Sequence, residues 1–170
     1  MKRVVLMGAV FVLCCGSANA ESGFPLQIGV FPPVQLVPET MNVSGLRLNL
    51  PYSANDRVVG IDLGIASSAA DMEALQVNLY NVVYGDLTGV QIGLLDRIGS
   101  GSGLQVGLLE TVNTVYAGVQ IGLINNAEEM TGLQIGLINR TEFLTGLQIG
   151  LVNVIEESAL PFFPIVNLSF

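Results

Sequence analysis

Three glutamates recur at a spacing that could build a cation site. Glu128, Glu142 and Glu156 are each separated by 14 residues, so repeats stacked on one another would set their carboxylates in a column. Hard cations such as Ca²⁺ take clustered carboxylate oxygens as ligands. The column also fits a solvated acidic edge, because the glycine-rich nonapeptide that binds Ca²⁺ in stacked repeats is absent. We therefore predict no metal site. If the protein does bind Ca²⁺, this glutamate column is the candidate site.

Five glutamines recur in the same way and could form either a surface or an internal support. They occupy one place in consecutive repeats: Gln91, Gln105, Gln120, Gln134 and Gln148. On a flat, glycine-lined strand face, their amides would offer a candidate binding face. Stacked on one another, the same amides would hydrogen-bond as a structural ladder. The sequence leaves both interpretations open.

The composition provides little for other chemistry. The chain has 170 residues, no His and only 12% charged residues, against about 25% charged residues in typical domains. A His-based triad or a His metal site therefore cannot be built. We predict a protein that is not an enzyme, with no catalytic residue and no cofactor. The 6 basic residues against 14 acidic ones also argue against a nucleic-acid partner.

Residues 1–20 predict a cleaved export signal. Lys2 and Arg3 precede an apolar run from Val4 to Cys15, and Ala18-Asn19-Ala20 supplies the small residues of a cleavage site. The run of about 12 residues is shorter than the roughly 20 that a membrane span needs. Cleavage would remove both Cys and the one Lys. The remaining chain would have four arginines against 14 acidic residues, a net charge of −10.

The elements that must position these side chains are the strands of a tandem repeat with a period of 14 or 15 residues. The clearest copies begin at Gly89, Gly103, Gly118, Gly132 and Gly146, and weaker copies begin at Gly45, Gly60 and Ala74. We number the positions of each copy from this first residue. Apolar residues at positions 2, 4 and 6 alternate with Gly and Gln, which indicates a half-buried strand. Position 8 is Asn, Asp or Glu in the clear copies, and residues 160–167 read as a last copy.

The links between strands carry apolar residues that could close a core. One set lies at position 10, as in Val83, Ile98 and Val112, and another lies just before the next copy. The second set is predicted to comprise Leu87, Val115, Met130 and Leu144.

Two all-β architectures fit this repeat. The prediction is a parallel β-solenoid in which each copy is one coil and equivalent residues stack about 4.8 Å apart. The alternative is a small antiparallel outer-membrane β-barrel, because Val166, Leu168 and Phe170 alternate up to a terminal Phe. Aromatic residues make up only 6% of the chain, which is few for the two aromatic girdles of such a barrel.

The predicted organisation is a signal at 1–20, an N-terminal strand or cap at 21–44, and a repeat domain at 45–170 with a C-terminal cap at 160–170. Prolines lie toward both ends, and none lies between Tyr52 and Leu160. Because proline cannot donate to a sheet ladder, it belongs at sheet edges. The two terminal segments are therefore expected to cover the ends of the repeat.

The repeats resemble an uncharacterised family of exported bacterial surface-repeat proteins. The resemblance rests on the GLQIGLIN-type copies, on an opening segment like residues 45–64 and on an ending like residues 163–170. It implies association with the cell surface or outer membrane, and it implies no activity. We therefore expect an exported envelope protein with a structural or adhesive role and a surface or envelope partner. The alternative is a small outer-membrane barrel with a structural role or a narrow pore, and the oligomeric state stays open.

Overall fold

The computed structural model describes residues 23–170, which form one sheet of nine strands. The predicted signal at 1–20 lies outside the described residues. The strands are β1 (Phe24–Phe31), β2 (Val34–Gln35), β3 (Val43–Val77), β4 (Tyr80–Ile92), β5 (Leu95–Val106), β6 (Leu109–Ile121), β7 (Ile124–Ile135), β8 (Ile138–Ile155) and β9 (Phe162–Ser169). Over the described range, no helix is long and apolar enough to cross a membrane.

The repeat folds as stacked parallel coils, which confirms the β-solenoid. The sheet order is β2-β1-β3-β4-β5-β6-β7-β8-β9, and every pair from β1–β3 to β7–β8 is parallel. Equivalent positions pair directly, as in Gln105 with Gln120 and Gln120 with Gln134. The antiparallel barrel is therefore not the architecture of this chain, because its strands pair in parallel in sequence order.

Glycine at position 1 allows the coils to approach one another. Gly132 has φ of +132°, and a Cβ there would overlap the carbonyl oxygen of Gly118 in the preceding coil. The left-handed half of backbone space is costly for residues with a Cβ. The repeated glycine is therefore a requirement of the stacking geometry.

The apolar part of the interior comes from the links. Position 10 is buried, as in Val83, Ile98 and Val112, which confirms that prediction. Leu87, Met130 and Leu144 are buried as well. The predicted burial of Val115 is wrong. Its coil has 15 residues, and the extra residue places Val115 on the outside, so that Tyr116 is the buried residue opposite Gly101.

Both ends of the stack carry an antiparallel strand. β2 pairs antiparallel with β1, and β9 pairs antiparallel with β8. Residues 160–167 are therefore not a further coil, and Asn167 lies opposite Gln148 instead of continuing the position 8 column. β2 and β9 therefore form the two edges of the sheet, and an edge strand as short as the two-residue β2 limits pairing with another chain.

The first coil lies earlier in the chain than the repeat copies indicate. Residues 25–31 read Pro-Leu-Gln-Ile-Gly-Val-Phe, and Gln27 pairs in parallel register with Arg47. This segment is thus a copy of the repeat within the region predicted as a strand or cap.

Candidate functional site

The five predicted glutamines form an internal ladder and no surface. Gln91, Gln105, Gln120, Gln134 and Gln148 are all 0% exposed. Each donates from Nε2 to Oε1 of the glutamine in the preceding coil, at 2.6–2.9 Å. The interpretation of these glutamines as a binding face is therefore wrong, and they form the structural ladder. The physical reason is that in-register stacking lets each buried amide find a partner in the next coil, which removes most of the cost of burial.

The ladder ends on a buried ion pair. Gln76 donates to Asp62 at 2.9 Å, and Arg47 holds the same carboxylate with two bonds of 2.8 and 2.9 Å. Ser67 and Asn49 also donate to it. Burial alone would raise the pKa of Asp62. The hydrogen bonds and positive charge of Arg47, together with hydrogen bonds from Ser67 and Asn49, outweigh this effect and lower the pKa. Asp62 is therefore an ionised anchor for the aligned amides and is closed to any substrate.

A second polar column at position 8 is interrupted in its middle. Asn125 donates to Asn139 and Asn139 donates to Asn153, both at 2.7 Å. The two coils before Asn125 carry Asp96 and Glu110, which are buried. One oxygen of Asp96 and both oxygens of Glu110 have no hydrogen-bond partner.

This interruption puts two acids next to each other inside the protein. Burial raises the pKa of Asp96 to about 7, against the lowering effect of a hydrogen bond from Asn81. Burial and the charge of Asp96 raise the pKa of Glu110 to about 9. Burial and the charge of Glu110 also raise the pKa of Tyr116, whose hydroxyl has no partner. At neutral pH, Glu110 is therefore protonated, and its carboxyl carries one O–H that can donate a hydrogen bond.

The glutamate column proposed for a cation lies on the outside. Glu128, Glu142 and Glu156 line a shallow open groove with Arg140, and Arg140 donates to Glu156 at 2.7 Å. Among residues 23–170, no group of three or more His, Cys, Asp or Glu side chains is arranged to hold a metal ion. Glu128 and Glu156 are exposed, and the column shares this edge of the coils with Arg140.

The main exposed feature is an uncharged face that we call the apolar face. It consists of the outward side chains at positions 2, 4, 6 and 7 of successive coils, from Leu26 in β1 to Val152 in β8. Position 6 is its most exposed row in the central coils, with Leu94, Leu108, Leu123 and Leu137 at 43–49% exposure. None of these positions holds a charged residue. β9 extends the face, because Leu168 and Val166 pair with Leu147 and Ile149.

Charges are confined to the rest of the coil. Between residues 43 and 157, the exposed acidic and basic side chains all lie at positions 9–14. They include two exposed ion pairs, Arg57 with Glu73 and Arg140 with Glu156. The outer surface of each coil therefore has an apolar part and a charged part. The glutamine amides and the buried apolar residues of the links lie inside.

The apolar face is the feature that the sequence patterns did not assign. Alternation with period two separates Leu133 and Ile135 from Gln134, but it does not say which set points inward. The usual preference for burying Leu and Ile favours the opposite orientation. The pair of adjacent apolar residues at positions 6 and 7 breaks the alternation, and both of its members are exposed, as Leu123 and Ile124 show.

Comparisons with known proteins add no relative. No protein-family model, no curated protein and no solved structure matches this chain. The resemblance to exported surface-repeat proteins stays a prediction.

Proposed function

We propose that this chain is an exported protein of the bacterial cell envelope or surface, with a structural or adhesive role and no catalytic activity. The observation that carries the proposal is the apolar face. Contiguous exposed apolar patches larger than a few hundred Å² are rare on soluble monomers and mark interaction surfaces. Association with the outer membrane and an envelope partner are part of the proposal.

The geometry of the face supports a contact role. Nine copies stacked at about 4.8 Å, with positions 2–7 spaced at about 3.3 Å along the strand, give a face of roughly 600 Å² in projection. The interior supports rigidity, because its glutamines bond to each other along the stack and end on Asp62. Asp62, for example, is fully committed to Arg47 and its amide neighbours.

Export is supported by the predicted signal at 1–20 and is tested by expressing the whole chain in a Gram-negative host. We expect the product to begin at Glu21 and to remain with the envelope fraction. Leu123→Glu, on the apolar face, should move the protein to the soluble periplasmic fraction. Asn113→Glu adds the same charge at an exposed position outside the face and should leave the protein in the envelope.

Two results would contradict the proposal. The first is an uncleaved product in the cytoplasm. The second is equal fractionation of the wild type, the Leu123→Glu variant and the Asn113→Glu variant, since contact through the apolar face requires the first substitution to differ.

A further inference from the structure

We infer that the apolar face is covered by a second copy of this chain, packed face to face. This inference deepens the proposed function and rests on it: the apolar face is the contact surface, a second copy occupies it, and the assembled pair is the form that the envelope retains. The occupant is argued from the size of the face, its charge and its shape.

The area is close to what a stable pair requires. A projection of roughly 600 Å² from the spacings of a β-sheet compares with about 800 Å² of accessible surface per partner in a standard interface. Accessible surface exceeds projected area on a corrugated face, and β9 adds Val166 and Leu168 to it. Leu94, Leu108, Leu123 and Leu137 are 43–49% exposed in one row, so a partner sheet would bury a continuous apolar strip.

The charge distribution favours a second copy over a lipid surface. Proteins that lie on membranes carry Lys and Arg beside their apolar face to contact anionic headgroups. Residues 23–170 contain no Lys. Arg57 and Arg140 are paired with Glu73 and Glu156, so Arg97 is the one exposed arginine of this range outside an ion pair. In a face-to-face pair, the acidic sides of both copies point outward and away from each other.

The shape of the face is self-complementary. Its rows of Leu, Ile and Val repeat at the coil spacing, so the ridges of one copy match the grooves between rows in another. Two sheets packed in this way lie about 10 Å apart with their strands aligned within about 30°. A two-fold axis that lies between the two faces and parallel to them then gives a closed dimer, in which both copies use the same surface.

The test is sedimentation velocity of the purified chain from residue 21 onward, which holds the whole described fold. We expect a dimer for the wild type and for Asn113→Glu, and a monomer for Leu123→Glu. Leu108→Glu is a second face variant, at 43% exposure. Whichever face variant keeps the wild-type circular dichroism spectrum serves for the comparison.

Several outcomes would overturn the inference. A wild type that remains monomeric at about 100 µM excludes the dimer, and binding of that monomer to phosphatidylethanolamine–phosphatidylglycerol vesicles would assign the face to lipid. A dimer that persists in the folded face variants would place the interface elsewhere. These results are independent of cell fractionation, so an exported monomer would leave the proposed function standing while removing the second copy.

Discussion

At the scale of single residues, the fold depends on amides that replace an ordinary apolar core on one side of each coil. Six glutamines from Gln76 to Gln148 donate in the same direction and end on Asp62. Hydrogen bonds in such a chain polarise one another. At the other end, Gln148 Oε1 and Asn167 Nδ2 are both without partners, and their residues lie opposite each other in register.

Removing one amide from the middle of the ladder should be expensive. Gln120→Ala leaves Gln105 Oε1 and Gln134 Nε2 unpaired, and each buried unpaired group costs about 1–3 kcal/mol. We expect urea unfolding to show a loss of about 2–6 kcal/mol from the two unpaired groups, to which the cavity adds. The control Asn113→Ala should change stability by less than about 0.5 kcal/mol. Equal stability of both variants would mean that the amides are not in the interior.

The buried ion pair provides a second test with a matched exposed pair. Arg47→Met leaves Asp62 buried without its counter-charge, and breaking a buried pair in this way costs about 3–5 kcal/mol. Arg57→Met removes the exposed partner of Glu73 and should cost no more than about 1 kcal/mol. Chemical denaturation measures both. Similar small losses would contradict the anchoring role of Asp62.

The buried acids predict an unusual pH dependence. Since folding raises the pKa of Asp96 to about 7 and that of Glu110 to about 9, their stabilising contribution is complete below their unfolded values near 4. It is lost as pH rises through 7 and 9. We expect thermal stability to fall from pH 5 to pH 9.5, by several kcal/mol on the scale of about 1.4 kcal/mol per pKa unit.

Neutral substitutions at these two positions separate this effect from general alkaline sensitivity. Asp96→Asn restores the residue common at position 8, and Glu110→Gln keeps the side-chain size while removing the titration. The double variant should be more stable than the wild type at pH 9 and should show a flatter profile between pH 5 and 9.5. An unchanged profile would remove the acids as its cause.

At the scale of the elements, the coil is set by glycine at position 1 and by strict register. Gly132→Ala meets both a positive φ of +132° and the carbonyl of Gly118. We expect it to destabilise the protein by about 3 kcal/mol or more. Gly122→Ala introduces a Cβ 2.8 Å from Asn125 Oδ1, and a flexible side chain can move aside. Thermal unfolding should therefore rank Gly132→Ala as the more damaging change, and the reverse order would contradict the stacking argument.

The repeat and the buried position 10 residues follow from spacing and alternation. The parallel stack is the prediction from the same pattern, which an antiparallel barrel also fits, and the parallel pairing of the strands decides between the two. Which residues line the inside of the coil does not follow from the pattern. A period of two places Gln134 and Leu133 on opposite sides, but it does not say which side is buried. General hydrophobicity then favours burial of Leu133, whereas Gln134 can be buried because every neighbouring coil supplies a matching amide. The early copy at residues 25–31 was not predicted, because Leu26 and its partner Leu46 are 20 residues apart, and this spacing breaks the period of 14 or 15.

At the scale of the whole molecule, the result is an elongated body with amide columns inside, one apolar side and one acidic side. This arrangement explains why the chain is 51% hydrophobic with a small number of charged residues and yet places many of those apolar residues outside. The rows of Leu and Ile lie outside because the glutamine ladder occupies the interior in their place. The orientation of the glutamines is therefore the claim on which the proposed contact surface depends.

Exchange of side-chain amide protons, followed by NMR of the wild type in D₂O, tests that orientation most directly. We expect slow exchange, over hours, of the Nε2 protons of the five ladder glutamines, because each amide is buried and donates to its neighbour. These glutamines are Gln91, Gln105, Gln120, Gln134 and Gln148. The exposed amide of Asn113 should exchange within the dead time. Loss of all glutamine side-chain signals as fast as that of Asn113 would show that the glutamines face solvent, and it would contradict their burial inside the coils.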